Sequence, residues 1–355
     1  MKWSIFTLIS IVFTLFLAVY LLNYHPAEIE EMKVITRTNN AHRTLKIGMP
    51  VKVMNWNVQY MAGKGYVFFY DLLDESGPDK RPSRESISRT IDGVARIISA
   101  ENPDIILLQE VDDGSKRSDY EDQLARLLAL ISPEYISHSS AFYHKSRFVP
   151  HPKIMGAVGM KLSTISKFPI KSARRHQLPL KPDNWLKRQF DLKRAVLETR
   201  FAVKDSADLI VLNTHLSAFS QGTDTLKKQI ESISSLIKSY EAGHHQWIIG
   251  GDFNLLANKE AYHALGSYER QYYNPSGELE LLTKRYPSVP PTNPAESSDP
   301  KWFTHYPNNP AVKKPDRIID YIFFPKEMTI ISGYIRQSDT ISLSDHFPVI
   351  VKIQL

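Results

Sequence analysis

From residue 51 onward the chain is a succession of short apolar runs, each too brief for a helix and each followed by turn residues. Such runs, bounded by Gly, Pro, Asn, Asp or Ser, read as strands. Residues 51–56, 104–108, 156–162, 195–203, 209–212, 246–249, 318–324, 329–335 and 348–353 are therefore predicted strands. Between them, 84–100, 120–130, 223–239 and 258–265 carry apolar residues at helical spacing. Pro103 stands where the first of these helices should stop. This alternation excludes an all-helical fold and predicts an α/β (α+β) domain built on two sheets. Residues 286–315, rich in Pro, Ser and Asn, are predicted to form a long surface loop.

The N-terminus lies outside that pattern. Residues 3–22 are uncharged and apolar, interrupted only by Ser4, Thr7, Ser10 and Thr14. That matches the roughly 20 residues a bilayer core requires. Lys2 precedes the stretch, and Glu28, Glu30 and Glu31 follow it, which predicts a cytoplasmic N-terminus with the rest of the chain outside the cytoplasm. The competing reading is a cleaved signal peptide. Its apolar region would be about 7–15 residues and would end in small side chains, whereas Val19-Tyr20-Leu21-Leu22 is a poor cleavage site. The expected organisation is a single-pass transmembrane anchor at 1–22, a polar linker at 23–49 and a folded domain at 50–355. The linker contains Thr36, Thr38, Asn39, Asn40 and His42; as a flexible coil it would span about 25–30 Å.

Among the 355 residues, 44 Lys and Arg against 38 Asp and Glu leave a net charge of +6. This mild bias suits anionic partners such as phosphate, nucleic acid or acidic lipid headgroups. The chain has no cysteine, which excludes disulfides, thiolate metal sites, a cysteine nucleophile and an acylated lipoprotein cysteine. A bound metal must use oxygen and imidazole donors, which suits Mg²⁺, Mn²⁺ or Ca²⁺.

Five polar clusters sit at or near strand ends. Ile105-Ile106-Leu107-Leu108-Gln109-Glu110 ends in a carboxylate, and Trp247-Ile248-Ile249-Gly250-Gly251-Asp252-Phe253-Asn254 ends in a carboxylate and an amide. Leu209-Ile210-Val211-Leu212-Asn213-Thr214-His215 ends in an amide and an imidazole, and Val53-Met54-Asn55-Trp56-Asn57 in an amide. Ser344-Asp345-His346-Phe347-Pro348 opens the last strand. A lone Asp after a strand is more often a turn former or helix cap, and a lone His is usually a satisfied polar residue. Strand ends on one rim of a sheet are nevertheless where distant residues converge on a ligand, and five such clusters together point to a site.

Trp56-Asn57-Val58, Gln109-Glu110-Val111, Asn213-Thr214-His215-Leu216, Gly251-Asp252-Phe253-Asn254, Arg317-Ile318-Ile319-Asp320-Tyr321-Ile322 and Ser344-Asp345-His346-Phe347-Pro348 resemble, in order, the motifs of the endonuclease/exonuclease/phosphatase superfamily. That group contains pancreatic-type deoxyribonucleases, abasic-site endonucleases, neutral sphingomyelinases and inositol-polyphosphate 5-phosphatases. The resemblance covers residues 51–355. It implies a four-layer sandwich of two mixed β-sheets flanked by helices, with the site at one end. It also implies a phosphoester hydrolase dependent on Mg²⁺ (or Mn²⁺), acting as a monomer. Glu110 would be the principal metal carboxylate, with Asn57 beside it and Asp345 near the metal. Asp252 would position the attacking water, Asn254 would hold a phosphate oxygen, and His346, oriented by Asp320, would face the scissile phosphate. His215 resembles the second histidine of the deoxyribonuclease and sphingomyelinase branches, and Arg194 and Asn213 would bind substrate phosphate. The chemistry is consistent: a phosphodiester needs its charge offset and a water deprotonated, and a histidine held by a carboxylate serves either purpose near neutral pH. Whether Asp252 or His346 takes the proton is open at this level.

Two segments bear on the substrate. Residues 161–194 are dense in Lys and Arg, which reads as a solvated face or as an electropositive rim. Gly65-Tyr66-Val67-Phe68-Phe69-Tyr70 reads as core or as a membrane-dipping lip. Lys314-Pro315-Asp316-Arg317-Ile318-Ile319 keeps only part of the signature of the inositol phosphatases, and no run matches the DNA-gripping inserts of abasic-site enzymes. The anchor favours a lipid phosphodiester. An extracytoplasmic nuclease acting on DNA or RNA is the alternative, and a catalytically dead binding module is disfavoured by the intact polar set.

Overall fold

The computed structural model of the protein describes residues 2–37, 43–275 and 277–355. The apolar helix α1 (Lys2–Leu22) is followed by three short strands, β1 (Ile29–Met32), β2 (Val34–Thr36) and β3 (Leu45–Lys46), and then by β4 (Pro50–Asn57). Helix α2 (Arg84–Glu101) leads into β5 (Ile105–Asp112), and α3 (Gln123–Leu130) into the long hairpin of β6 (Ser137–Val149) and β7 (Gly156–Ser166). Next come β8 (Ser172–Gln177), α4 (Trp185–Phe190), β9 (Ala195–Phe201), β10 (Val203–Lys204) and β11 (Leu209–His215). After α5 (Thr225–Ala242) and β12 (Trp247–Asp252) lie α6 (Lys259–Ala264), α7 (Glu280–Thr283), β13 (Ser288–Val289) and α8 (Pro294–Ser297). The chain closes with β14 (Asp320–Phe323), β15 (Thr329–Ile335) and β16 (Val349–Gln354).

Two seven-stranded sheets result, ordered β15-β16-β4-β5-β7-β6-β2 and β1-β8-β9-β11-β12-β14-β13. Each is mixed, with one central parallel pair: β4–β5 in the first sheet and β11–β12 in the second. Along β5, Ile105 and Leu107 face the opposite sheet while Ile106 and Leu108 face the helices. A strand buried on both faces has no polar side to alternate with, hence its unbroken apolar run. The Ser83 hydroxyl caps α2 by accepting from Ser86 N at 3.1 Å. Ile87, Ile91, Val94 and Ile98 of α2 then pack on Met54 and Ile106. On the other side Leu226, Ile230, Ile233 and Ile237 of α5 cover Ile210, Leu212 and Ile249. The layers are helix, sheet, sheet, helix, as expected.

A buried amide network joins the sheets. Gln109 Nε2 donates to Asn55 Oδ1 and to Asn213 Oδ1, each at 2.8 Å. Asn213 Nδ2 donates to the Leu108 and Ser163 carbonyls at 3.1 and 3.0 Å, and Asn55 Nδ2 reaches the Gly251 carbonyl at 3.3 Å. At Gly251 a Cβ would lie 2.1 Å from the Thr214 carbonyl oxygen. Gly251→Ala should therefore destabilise the protein by about 1–3 kcal/mol. A urea-unfolding midpoint equal to that of the wild type would show that the β11–β12 ladder yields freely.

The expectation of a linker at 23–49 is corrected over residues 29–36. β1 pairs with β8 at the edge of one sheet, and β2 with β6 at the edge of the other. Ile29-Glu30-Glu31-Met32 is too short and too charged to signal a strand; edge strands need only one partner and carry such charges readily. Only residues 23–28 separate α1 from β1, and they are held: Asn23 Nδ2 donates to the Val19 carbonyl at 2.7 Å, Tyr24 N to the Lys145 carbonyl at 3.2 Å, and Tyr24 Oη to Glu30 Oε2 at 2.6 Å. Thr38, Asn39, Asn40 and His42 lie outside the described residues.

Most of the basic stretch is not a rim, although Lys181 lines the cavity and Lys187 and Arg188 are exposed. Lys161, Lys167, Arg175, Lys193 and Arg194 are buried, while Lys171 and Arg174 pair with Asp208 and Glu31. Nor is the aromatic run a lip: Phe68 is in the core, and Tyr66 and Tyr70 stack on it. Strands β6 and β8 escape the sequence reading because Ser, His and Arg replace apolar residues on their inner faces. Arg175 is fully buried in β8 and bonds the Phe142 and Lys193 carbonyls.

Candidate active site

Asn57 ends β4, His215 ends β11 and Asp252 ends β12, while Asp320 opens β14 directly opposite Asp252. Asp345 and His346 come just before β16, which is antiparallel to β4. All these ends lie on one side of the sandwich. Glu110 reaches the same place through a β-bulge: pairing of β5 with β7 skips between Leu108 and Val111, and Glu110 adopts φ +57°. A non-glycine residue in that region costs on the order of 1 kcal/mol, and here the bulge re-aims its carboxylate.

Asn57 Nδ2 is the hub, donating to Glu110 Oε1 at 3.1 Å and to Asp252 Oδ2 at 3.0 Å. His346 Nδ1 lies 2.9 Å from Asp320 Oδ2. Its other nitrogen is 3.6 Å from Asp252 Oδ2 and 3.9 Å from Asp345 Oδ1. His215 Nε2 is 3.3 Å from Asp252 Oδ2, and its Nδ1 is 3.3 Å from the Tyr143 hydroxyl. Asn254 N donates to Asp252 Oδ1 at 2.9 Å, and the Asn254 side chain to the Leu216 carbonyl.

Burial dominates the electrostatics, and neighbouring charges then sort the groups. Burial lowers the His346 pKa, but Asp320, Asp252 and Asp345 outweigh it and hold the ring well above its usual range, as an imidazolium. His215 goes the other way: burial, reinforced by the charges of Arg194 and His346, keeps it neutral. Burial pushes Asp252 up to about 7, with His346 offsetting part of the rise. Glu110 is raised by burial and by the charge of Asp345. Asp345 is itself held low, because His346, His305 and Lys64 outweigh its burial.

Two carboxylates that repel one another across a buried space fit a hard divalent cation. Gln59 lines the same cavity, and its Oε1 is buried without a hydrogen-bond partner. Among the described residues two tighter groups also have ligand atoms within 4.8 Å of one another: His305, Asp345 and His346, and Asp252, Asp320 and His346. The donor set is oxygen and imidazole, as the sequence required.

Arg194 lines the cavity and is buried, with its guanidinium carbon 5.2 Å from the centre of the Tyr143 ring and its buried Nη1 unpartnered. That is a fit for a phosphate oxygen. Asn213 is not: both of its amide hydrogens and its oxygen are spent in the intersheet network, so its predicted phosphate role is corrected to a structural one. Sequence reasoning missed His305, whose Nε2 is 3.8 Å from Asp345 Oδ2 and whose ring centre is 4.5 Å from that of His346. It lies in the Pro-rich loop, with no strand before it to mark it. It also missed Arg117, clamped by Asp112 at 2.8 and 2.9 Å and lining the cavity. The cavity above these groups measures about 720 Å³, and Phe69, Met155 and Phe219 add apolar surface to its wall.

The sequence pattern of the Endonuclease/Exonuclease/phosphatase family matches residues 54–346. Among solved structures, an endonuclease/exonuclease/phosphatase from Beutenbergia cavernae DSM 12333 is similar, with a TM-score of 0.56 and 21% identity over 86% of this chain and 72% of that one. The human Nocturnin catalytic domain with bound sulfate gives a TM-score of 0.51 and 17% identity over 91% and 97% of the two chains. TDP2 from C. elegans gives 0.51 and 15% over 88% and 77%. No curated protein matches the sequence significantly. At these identities the structures establish the fold, while the sequence pattern spans every cluster of the site. The chain belongs to the Endonuclease/Exonuclease/phosphatase family, a family of phosphoester hydrolases that are generally metal-dependent.

Proposed function

We propose that the protein is a membrane-anchored, Mg²⁺- or Mn²⁺-dependent phosphodiesterase, monomeric, with its catalytic domain outside the cytoplasm and a lipid headgroup as substrate. The observation that carries the enzymatic reading is the convergence of the Asp320–His346–Asp252 line with neutral His215, Glu110 and Asp345 on one cavity.

Glu110 and Asp345 would hold the cation, which would supply Lewis-acid neutralisation of phosphoryl charge. Asp252 takes a proton from the attacking water, fixed for that task by Asn57, His215 and the Asn254 amide. His346, held as an imidazolium by Asp320, donates a hydrogen bond to a phosphoryl oxygen as charge builds there; the P–O bond to the leaving alcohol breaks as the bond to the water oxygen forms, and the departing oxygen takes a proton from solvent. Arg194 offers its free Nη1 to a second oxygen. The apolar wall residues Phe69, Met155 and Phe219 support a lipid substrate, while Lys80, Arg81, Lys116 and Lys153 on the same wall suit its anionic headgroup.

A panel of sphingomyelin, phosphatidylinositol phosphates, bis-p-nitrophenyl phosphate and plasmid DNA tests the reading. Hydrolysis of the small diester and of one lipid class, with DNA untouched, is expected. Turnover of DNA alone would make the protein a nuclease. The helix α1 should also hold the protein in the membrane fraction through carbonate washing, because an inserted helix is not bound by charge. A soluble mature chain beginning after Leu22 would show a signal peptide instead.

A further inference from the structure

We propose that α4 is a wedge seated in the same bilayer as α1, and that the catalytic cavity therefore opens onto that bilayer and takes its phospholipids in place. The proposal rests on the reading of α1 as a membrane helix and deepens it.

The first observation is a contact. The Phe16 ring lies 5.1 Å from the Trp185 ring at the start of α4. Phe16 is six residues short of the end of α1 at Leu22, about 9 Å down the helix axis at 1.5 Å per residue. A side chain touching the anchor that far from its end lies below the headgroups if the anchor spans the bilayer. Trp185 and Leu186 are 44% and 53% exposed, so the domain itself does not cover them. Arg188 follows, exposed, beside Lys187, which is also exposed and is paired with Asp183 at 3.0 Å. Aromatic and aliphatic tips followed by basic residues match the apolar boundary and anionic surface of a membrane. A single exposed apolar residue on a soluble face would need no explanation; two beside the anchor do.

The second observation concerns orientation. Asn23, the residue after α1, is bridged to Ser146 of β6, and the Ser146 hydroxyl donates to the Leu22 carbonyl at 3.4 Å. Ser146 pairs in register with Val158 of β7, and both Val158 and His144 line the catalytic cavity. The exit of the helix is thus one strand away from the cavity wall. Two exposed apolar residues of that cavity, Met155 and Phe219, extend the same face: Met155 is on the loop closing this hairpin, and the Phe219 carbonyl accepts from Lys181 Nζ, four residues before α4. With Asn23, Tyr24 and Glu28 tied to the domain by backbone contacts, α1 is joined to it by no long free tether.

The absence of cysteine makes the test direct. Full-length protein carrying Leu186→Cys, spin-labelled and placed in vesicles of phosphatidylcholine with a minority of phosphatidylserine, should relax more with oxygen than with a water-soluble nickel chelate. Ser235→Cys, exposed on α5, should do the reverse. An aqueous label at 186 in protein that survives carbonate washing would overturn the wedge while leaving the anchor intact. The Trp185→Ser/Leu186→Ser double variant should hydrolyse vesicle lipid about tenfold more slowly, the loss of one apolar insertion, with bis-p-nitrophenyl phosphate turnover unchanged. Equal lipid turnover by the double variant would overturn presentation of substrate from the bilayer. Cleavage of plasmid DNA with lipid untouched would do so as well. The depth measurement needs no catalysis, so an inactive wild type would sink the enzymatic reading and leave the pose to be decided on its own.

Discussion

His346→Ala should lower kcat on a phosphodiester by about 10³-fold, since it removes a donor aimed at developing charge. Asp320→Asn, which leaves the shape and removes the charge, should lower it by about 10²-fold. The double variant should fall within about threefold of His346→Ala alone, because groups that act as a unit are not additive. The rival role for Asp320, an ion pair with nearby Arg317, is already taken: Arg317 is held by Glu269 at 2.7 Å and by Asp316 at 2.6 Å. Asp320 instead sits 2.9 Å from His346, and its backbone N–H donates to Thr304 Oγ1. Clean additivity of the two substitutions, measured as kcat with metal in excess, would remove Asp320 from the catalytic unit.

Removal of metal should be as severe. EDTA should abolish turnover, Mg²⁺ or Mn²⁺ should restore it, and Glu110→Gln should not be rescued by either. The substitution keeps size and hydrogen bonding to Asn57 but removes one of the two facing charges. A readout independent of turnover is available, because a ligand bound only by the folded state raises its stability by RT ln(1 + [L]/Kd). Mg²⁺ should raise the melting temperature of the wild type and leave that of Glu110→Gln unchanged. Full turnover in EDTA would refute the metal-dependent reading.

Most of the polar residues that converge on the cavity were legible in the sequence, for one physical reason. Strands buried on both faces are nearly all apolar, so the polar residues that follow Leu108, Ile249 and Leu212 stand out, and the last of each group, Glu110, Asp252 and His215, marks where the strand meets the rim. Asn213 shows the limit of that logic. It has the same chemistry as Asn57 but stands two residues before the end of β11, and only the three-dimensional pairing with Gln109, Leu108 and Ser163 reveals that its amide is consumed inside the sandwich. His305 was invisible because it reaches the site from an irregular loop, placed by backbone bonds to Arg317. The edge strands β1 and β2 were invisible because they pair along one side only. The burial of Arg175 and Lys193 could not be read from a run of charges: long side chains turned inward satisfy backbone carbonyls that the local sequence does not name.

The amide network between the sheets has a consequence for how the active site tolerates change. Asn57, Glu110, Asp345 and His346 belong to one half of the sandwich, and His215, Asp252 and Asp320 to the other. The hub contact from Asn57 to Asp252 crosses the seam, as does the bond from His346 to Asp320. Alignment of the reacting groups is thus a property of neither half, and a slip of one sheet by a fraction of an ångström would detune every cross-seam distance together. Asn55, Gln109 and Asn213 act as dowels, fixing relative position where apolar contacts alone would allow sliding. Variation at these three residues is therefore expected to shift the polar groups of the cavity from inside the core, through alignment.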